Sequence, residues 1–290
     1  MCNRVKMIGP PPTLAVELTG RGPLVIFLHG IGGNRSNWRD QLEAVGNEFT
    51  GAAWDARGYG SSDDYDGALQ FRDFADDLLR LLDSLGVTRA HLVGTSMGGR
   101  IALDFYARSA DRVATLTLAD TSAGNARVAS AEEVERFLAI RRRPLLEGRS
   151  PRDIAPEVVA SVIGPGTTPE VRARMIDSIA ALHRDSYLKT LDTVTRHTAF
   201  PAFEDIAVPT LVMVGEYDQI ATPEYAQKMA SRIRGARFAV ITGGSHIANM
   251  DRPLEFNRVL LEFLRDHRAR GDSPDGEAIA LDAGRVPAER

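Results

Sequence analysis

The sequence predicts an α/β fold in which a mostly parallel, doubly wound sheet carries an inserted helical cap. Two observations carry this prediction. Short apolar runs rich in β-branched residues alternate with helical segments over residues 1–121 and again over 201–267. Residues 122–200, between these two parts of the core, show helical periodicity and no strand-like run. Strands that alternate with helices pair in parallel, so their C-terminal ends meet at one edge of the sheet. The inserted cap follows a strand and is expected to lie over that edge.

The first part of the core reads as a series of strands and helices. Strands are expected at 13–19, where apolar and polar residues alternate, and at the largely apolar runs 24–28, 49–54, 89–93 and 113–119. Helices are expected at 38–45, 71–85 and 99–106. The helix from Phe71 to Leu85 has its apolar residues at helical spacing and is followed by Gly86, which predicts an amphipathic helix that ends there.

The cap and the second part of the core follow. Cap helices are predicted at 131–146, 156–163, 169–182 and 185–196. The core resumes with a buried strand at 209–215, a helix with Thr222 as its N-cap and Pro223 in its first turn, a last strand at 236–241 and a final helix at about 253–267. Residues 268–290, rich in Gly, Pro, Ala and charge, are predicted to form a disordered tail.

Composition and charge narrow the class of protein. The 290 residues are 43% hydrophobic, enough for one large α/β domain, and the net charge of −4 does not suggest nucleic acid or an anionic membrane as a partner. The chain start lacks the apolar core of a signal peptide, and no apolar run approaches the length of a membrane span. The single cysteine, Cys2, is interpreted as a free thiol in an irregular N-terminus. We therefore expect a soluble cytoplasmic protein that binds neither nucleic acid nor a membrane.

The strongest motif is Gly94-Thr95-Ser96-Met97-Gly98, between a predicted strand and a predicted helix. In this context Gly-x-Ser-x-Gly acts as a nucleophile elbow. The turn is so tight that Gly94 and Gly98 are expected to lie against neighbouring backbone, where a Cβ would clash. The serine is forced into a strained conformation that exposes its hydroxyl. The Met97 N–H then points at the group that Ser96 attacks, with the positive end of the helix behind it.

A serine hydroxyl needs a base, and the base needs an acid that fixes its tautomer. Of the six histidines, only His246 lies on a flexible Gly-Gly loop after a strand, so it is the predicted base. Asp218, just past the strand that resumes the core, is the predicted acid. Glu216, Asp120 and Asp251 are alternatives, and Asp120 is the most serious because it too ends a strand.

The oxyanion formed in such a reaction needs two backbone N–H donors. Met97 is expected to supply one and Ile31, in the loop after the strand 24–28, the other. Gly30 beside Ile31 would let the backbone approach. His29 is expected either to brace this loop through hydrogen bonds or to be a packed polar side chain. His29 and Gly30 are also candidate substrate-binding residues.

Up to about residue 267, the sequence resembles the α/β hydrolases. The resemblance lies in the glycine-rich loop with Trp38, the run 55–62, the elbow, the run 209–218 and the histidine loop. These motifs give the family's chain order of serine, acid and histidine. Within the family, the sequence resembles 3-oxoadipate enol-lactone hydrolases in 96–99, 120–123 and 246–253. It departs from them in that both tryptophans, Trp38 and Trp54, lie outside the cap.

The resemblance implies a serine hydrolase that cleaves an ester or lactone through an acyl-enzyme, with no metal or organic cofactor. The alternative is a carbon–carbon bond hydrolase that uses the same triad on a ring-fission product of aromatic degradation. A receptor that keeps the fold but not the turnover is a third reading. In the cap, Arg141, Arg142 and Arg143 form either a solvated basic face or a clamp for a substrate carboxylate, with Arg141 and Arg142 as candidate ligands.

Overall fold

The computed structural model describes residues 4–123 and 131–274. Over these residues eight strands form one sheet in the order β1-β2-β4-β3-β5-β6-β7-β8. The strands are β1 (Arg4–Ile8), β2 (Leu14–Gly20), β3 (Leu24–Leu28), β4 (Thr50–Trp54), β5 (Ala90–Thr95), β6 (Val113–Ala119), β7 (Thr210–Gly215) and β8 (Arg237–Ile241). Strands β3 to β8 pair in parallel, whereas β1 and β2 run antiparallel to their neighbours. The prediction of a mostly parallel sheet is confirmed.

Helices cover both faces of the sheet. In chain order the described helices are α1 (Arg39–Val45), α2 (Arg72–Ser84), α3 (Met97–Arg108), α4 (Ala131–Leu146), α5 (Pro151–Ala160), α6 (Pro169–Ala180), α7 (Arg184–Arg196), α8 (Pro223–Arg232), α9 (Ala248–Asp251) and α10 (Pro253–Asp266). Alternate residues of β3 belong to two separate apolar clusters, because successive side chains point to opposite faces. One cluster includes the buried residues of α2, α3 and α8, and the other those of α1 and α10. The sheet is therefore doubly wound, as predicted.

Strand β1 lies where the sequence suggested an irregular N-terminus. Its apolar residues Val5 and Met7 are 50% and 53% exposed, so its alternating pattern faces solvent and not the core. Pairing with β2, from Arg4 opposite Leu18 to Ile8 opposite Leu14, places β1 at the edge of the sheet. Partner-strand pairing of this kind leaves little trace in a sequence. Cys2 lies outside the described residues.

The predicted cap contains α4 to α7, and its residues 124–130 lie outside the described part of the chain. Helix α5 begins at Pro151, and the prediction that it begins at Pro156 was wrong. The Ser150 side chain accepts from the Asp153 amide and the Asp153 side chain accepts from the Ser150 amide, which forms a capping box. Pro151 then takes the first helical position, where its missing N–H costs nothing.

The cap is fixed to the core on two sides. On one side, Arg174 pairs with Asp40 at 2.9 Å and the Ser178 hydroxyl donates to the Gly32 carbonyl at 3.2 Å. On the other side, described hydrogen bonds join α7 to the loop after β4. They run from Ser186 to Asp64, from Lys189 to the Tyr65 carbonyl and from Thr193 to the Leu69 carbonyl. Helices α6 and α7 therefore hold the cap over the C-terminal ends of β3 and β4.

The disordered tail was predicted to begin at residue 268, but residues 268–274 are ordered in the structure. Asp272 pairs with the starts of two strands: its carbonyl accepts from the Leu24 amide at 2.8 Å, and its own amide donates to the Arg89 carbonyl at 2.8 Å. Its carboxylate also accepts from the Arg89 amide at 3.0 Å. Residues 268–274 are thus packed on the core, and 275–290 lie outside the described residues. None of the helices in the described part of the chain combines the length and apolar composition that crossing a bilayer requires.

Candidate active site

The turn between β5 and α3 carries Ser96. The strand ends at Thr95 and the helix begins at Met97, so Ser96 alone makes the turn, with φ 52° and ψ −116°. A Cβ on Gly94 would lie 2.3 Å from the Gly98 carbonyl carbon, and a Cβ on Gly98 would lie 2.0 Å from the Leu28 carbonyl oxygen. No side chain fits at either position. The strained serine backbone is thus enforced by close backbone packing.

Thr121, two residues after the end of β6, stabilises this turn. The Thr121 hydroxyl donates to the Ser96 carbonyl at 2.6 Å, and the Ser96 amide donates to the Ala119 carbonyl at 3.1 Å. A Cβ on Gly99 would come within 2.8 Å of the Thr121 side chain. In the sequence, Thr121 is notable only because the run 120–123 resembles that of the enol-lactone hydrolases. Its role in holding Ser96 becomes evident only from the packing.

The three predicted catalytic side chains meet at the C-terminal edge of the sheet. The Ser96 hydroxyl lies 3.1 Å from His246 Nε2, and His246 Nδ1 lies 2.8 Å from Asp218 Oδ2. The other Asp218 oxygen accepts from the amides of Ile220 and Ala221 at 2.7 and 2.9 Å. Because a carboxylate can only accept, Nδ1 carries the proton. Nε2 is then free to accept the proton of the serine hydroxyl.

Electrostatics in this pair favour the charged forms of both groups. Burial lowers the pKa of His246, but the hydrogen bond and charge of Asp218, together with the charge of Asp120, outweigh it and leave the pKa raised. Burial raises the pKa of Asp218, and the bond and charge of His246 with the amide bonds outweigh it and leave that pKa lowered. Asp218 therefore stays ionised and stabilises a protonated His246.

The alternative acids are engaged elsewhere. Fully buried Asp120 accepts from the amides of Gly215 at 2.8 Å and Ala248 at 3.1 Å, one with each oxygen. Burial and the charge of Asp218 raise the pKa of Asp120 to about 7. Glu216 accepts from the Gly243 amide. Asp251 binds the amide and hydroxyl of Ser245. Among the predicted acids, the imidazole is bonded to Asp218.

The loop after β3 passes beside Ser96. The Gly33 amide donates to the Gly30 carbonyl at 3.0 Å and Gly32 has φ 82°, the geometry of a type II turn with Ile31 at its second position. This turn closes through Gly33, so the Ile31 N–H takes no part in its hydrogen bond. A Cβ on Gly30 would lie 3.2 Å from Ser96 Cβ. Met97 is the first residue of α3, so its N–H has no partner within the helix.

His29 lies beneath this loop and not in the site, so its prediction as a substrate ligand was wrong. The side chain is fully buried: Nε2 accepts from the Ala56 amide at 3.1 Å, and Nδ1 therefore carries the proton and donates to the Gly30 carbonyl at 2.8 Å. Burial lowers the pKa of His29, which keeps the ring neutral. The ring also packs on Tyr59, with centroids 4.9 Å apart. His29 braces the loop, whereas Gly30 itself borders Ser96.

The three cap arginines have different surroundings. Arg142, a candidate ligand for a substrate carboxylate, pairs with Asp192 of α7 at 3.3 Å. Arg143 pairs with Glu147 at 2.6 Å on the exposed side of α4. Arg141 is half-buried, and burial lowers its pKa while Tyr187 acts in the opposite direction.

The cap also touches the loop that carries His246. Asp251 accepts from the Thr167 hydroxyl of the cap at 2.7 Å with one oxygen and from the Ser245 amide at 3.0 Å with the other. A Cβ on Gly164 would lie 2.9 Å from Ser245 Cβ. The sequence offers no signal for Thr167, because the contact joins residues far apart in the chain. Among the described residues, no three His, Cys, Asp or Glu side chains are grouped to hold a metal ion.

Comparison with known proteins places the chain in a family. A family model described as the α/β hydrolase fold matches residues 23–253, most of the chain. The chain belongs to this family. The expected resemblance to the α/β hydrolases, and among them to the enol-lactone hydrolases, is confirmed.

Individual relatives cover nearly the whole chain. It is 26% identical to 3-oxoadipate enol-lactonase 1 of Acinetobacter baylyi, over 87% of this chain and 93% of that enzyme. It is 28% identical to the 2-hydroxy-6-oxononadienedioate/2-hydroxy-6-oxononatrienedioate hydrolase of Paraburkholderia phymatum, over 85% of this chain and 88% of that protein. A thermophilic esterase from Thermogutta terrifontis has a similar structure, with a TM-score of 0.81 and 30% identity over 92% of this chain and 100% of that chain.

Proposed function

We propose that this protein is a serine hydrolase that cleaves a carboxylic ester or lactone through an acyl-enzyme. The observation that carries the proposal is the hydrogen-bonded chain from the Ser96 hydroxyl through His246 to Asp218, at 3.1 and 2.8 Å. Its three members come from the ends of three strands, and this order and geometry suit nucleophilic catalysis.

The proton positions on His246 and the backbone N–H donors near Ser96 suggest the steps of the proposed reaction. Ser96 Oγ attacks the carbonyl carbon while His246 Nε2 takes the hydroxyl proton. The resulting oxyanion accepts from the Ile31 and Met97 amides, the second backed by the dipole of α3. His246 then gives its proton to the leaving alkoxide, which departs and leaves an ester on Ser96. A water attacks that ester as His246 takes its proton, and the proton returns to Ser96 as the acid is released.

Replacement of the nucleophile tests the proposal. We expect Ser96→Ala to lower kcat on p-nitrophenyl esters and lactones by about 10⁴-fold or more. An organophosphonate should label the wild type at Ser96 and should not label the variant. Ser231→Ala is the matched control, because the Ser231 hydroxyl only donates to the Lys228 carbonyl on an exposed helix. A wild type that hydrolyses none of these substrates and never labels at Ser96 would contradict the proposal.

The substrate of this site is proposed to carry a carboxylate. Arg141 of α4 is half-buried and lies close enough to Tyr187 for that residue to influence its pKa. Tyr187 in turn influences the pKa of Tyr59, whose ring packs against His29 under the oxyanion loop. His29, Tyr59, Tyr187 and Arg141 are therefore neighbouring side chains, and the run begins at His29 beneath the loop after β3. A cation held in that position would bind the acid group of a substrate as a charge-assisted pair.

Paired variants test the proposed carboxylate contact. Arg141→Gln should raise KM about tenfold or more for an ester that bears a carboxylate, because a hydrogen bond to a charged group contributes about 1.5–3 kcal/mol. KM for the neutral ester of the same length should not change. Arg143→Gln is the control, since Arg143 is exposed and pairs with Glu147. If Arg141→Gln changed KM equally for both esters, or if both variants changed KM equally, Arg141 would not be a ligand of the substrate carboxylate.

A carbon–carbon bond hydrolase with the same triad is the second candidate. The similarity to the Paraburkholderia phymatum hydrolase, whose name gives a dienedioate as substrate, favours it. The two candidates differ in the leaving group. Cleavage of an ester or lactone releases an alkoxide, whereas cleavage of a carbon–carbon bond releases a carbanion equivalent. Turnover of a ring-fission dienoate with no turnover of lactones or esters would select this second function.

A further inference from the structure

Asp120 is a buried acid that the proposed reaction does not use directly. It follows β6, has no side-chain exposure and adopts φ 45°, in the left-handed region that non-glycine residues seldom occupy. Burial of an ionisable carboxyl without a cationic partner is costly. The backbone strain and the buried carboxyl both cost free energy of folding. We therefore expect the Asp120 side chain to make interactions that offset this cost.

Its two oxygens bridge the two loops that carry the other triad members. Oδ1 accepts from the amide of Gly215, the last residue of β7 and three residues before Asp218. Oδ2 accepts from the amide of Ala248, two residues after His246 and the first of α9. One side chain thus fixes the spacing between the loop of the acid and the loop of the base.

We propose that Asp120 is a positioning residue, which holds the Asp218 and His246 loops in register and which, in its ionised form, stabilises the protonated imidazole during turnover. This inference rests on the proposed serine-hydrolase function. The described side-chain hydrogen bonds of Asp120 go to the Gly215 and Ala248 amides and not to the imidazole or Ser96, so Asp120 acts through the loops and through space. The charged groups that face it are Asp218 from the loop after β7 and His246 from the loop after β8.

An aspartate suits this position better than its amide. Both amides of the loops are donors, so the bridge needs two acceptors. Asparagine offers one acceptor oxygen and would turn its NH₂ group toward the second amide. The Asp120→Asn variant therefore keeps the shape, breaks one of the two bonds and removes the charge. The pKa of His246, which Asp120 helps to raise, should fall in that variant.

The test measures kcat, KM and the pH dependence of phosphonate inactivation in the wild type and in Asp120→Asn. We expect kcat to fall about 10²-fold, the cost of misplacing a catalytic group by about 1 Å, with KM little changed. The acid limb of the pH profile should move to lower pH by about half a unit or more, because a nearby anion is lost. Asp77→Asn is the matched control: Asp77 is equally buried on α2, paired with Arg57, and its loss should lower stability without moving the acid limb.

The outcomes separate this inference from the proposed function. If the wild type shows no hydrolysis and no Ser96 labelling, the proposed function fails. If the wild type is active and folded Asp120→Asn keeps its acid limb and kcat, only the positioning role is overturned. If the variant does not fold, ¹³C NMR of aspartate carboxyls in the wild type decides. Titration of the Asp120 carboxyl in step with His246 supports the role, and titration of the Asp120 carboxyl independently of His246 overturns it, whatever Asp218 does.

Discussion

The hydrogen bond between His246 and Asp218 decides which imidazole nitrogen can act as a base. Asp218 is held by the amides of Ile220 and Ala221, so it presents one fixed oxygen to Nδ1. The lone pair of Nε2 is then directed at Ser96. The raised pKa of His246 and the lowered pKa of Asp218 describe a pair that would tolerate the charge transfer of the proposed reaction.

A second buried histidine shows the opposite electrostatics. His91 on β5 lies against the edge of Phe49, and its Nδ1 is 2.9 Å from the Thr115 hydroxyl. Burial, the largest effect, lowers the pKa of His91 to about 4. Where no carboxylate compensates, removal of the imidazole from water disfavours its charged form.

His91 should therefore destabilise the fold at acid pH. Its folded pKa lies below its unfolded value, so its neutral form supports folding fully above about pH 6.5 and this support is lost as pH falls toward 4. The loss should reach about 3 kcal/mol. Urea unfolding of the wild type and His91→Gln across this range measures it, and the variant should lose less stability on acidification. An identical loss in both proteins would contradict the prediction.

At the scale of elements, the junction between β5 and α3 depends on contacts that leave no room for a side chain. Gly98 packs on the carbonyl of Leu28 from β3, and Gly94 packs on Gly98. The turn therefore couples Ser96 to the strand that leads into the oxyanion loop. A shift in either element would move Ser96, the proposed nucleophile, relative to the proposed oxyanion donors Ile31 and Met97.

Gly98→Ala should unfold or strongly destabilise the protein, because its Cβ would sit 2.0 Å from a backbone oxygen. Gly235→Ala is the matched control: Gly235 has φ 75° but open space around it, so its cost should be the backbone strain alone, about 1 kcal/mol. Thermal unfolding compares the two. Equal losses of Tm would show that the elbow can relax around a methyl group.

The cap and the histidine loop form a second coupled pair of elements. The Thr167 hydroxyl reaches Asp251, and Asp251 holds Ser245 next to His246. Arg252 from the same loop lies against Gly166. A movement of the cap would therefore act directly on the loop that carries His246.

At the scale of the whole molecule, the chain closes on itself through residues after the last helix. Asp272 bridges the starts of β3 and β5, far in sequence from either strand. These contacts lie at the edge of the sheet opposite Ser96. They stabilise the sheet without touching the site.

Two truncations test this closure. A chain that ends at Pro274 should keep the stability of the full protein, because these contacts remain. A chain that ends at His267 should lose about 2–3 kcal/mol, since it lacks three hydrogen bonds of about 1 kcal/mol each. Urea unfolding and esterase activity would be measured together. Similar stability of both truncations would show that residues 268–274 contribute nothing to the fold.

Strong local signals made much of the fold and site predictable. The strand-turn-helix around Ser96, the cap helix 131–146 and the start of α8 all rest on neighbours in sequence, and Thr222 caps α8 as expected. Element ends were less predictable. Pro156 resembled a helix start, whereas the capping box of Ser150 begins the helix at Pro151.

The sequence by itself determined the class of fold, the elbow and the side chains that could form a proton relay, because periodicity and short motifs encode local structure directly. Only the tertiary structure decided which acid bonds to His246, that His29 faces away from the site and that Arg142 is paired within the cap. It alone showed Asp120 and Thr167 beside the histidine loop. These contacts join residues distant in the chain, so they depend on how strands pair and helices pack.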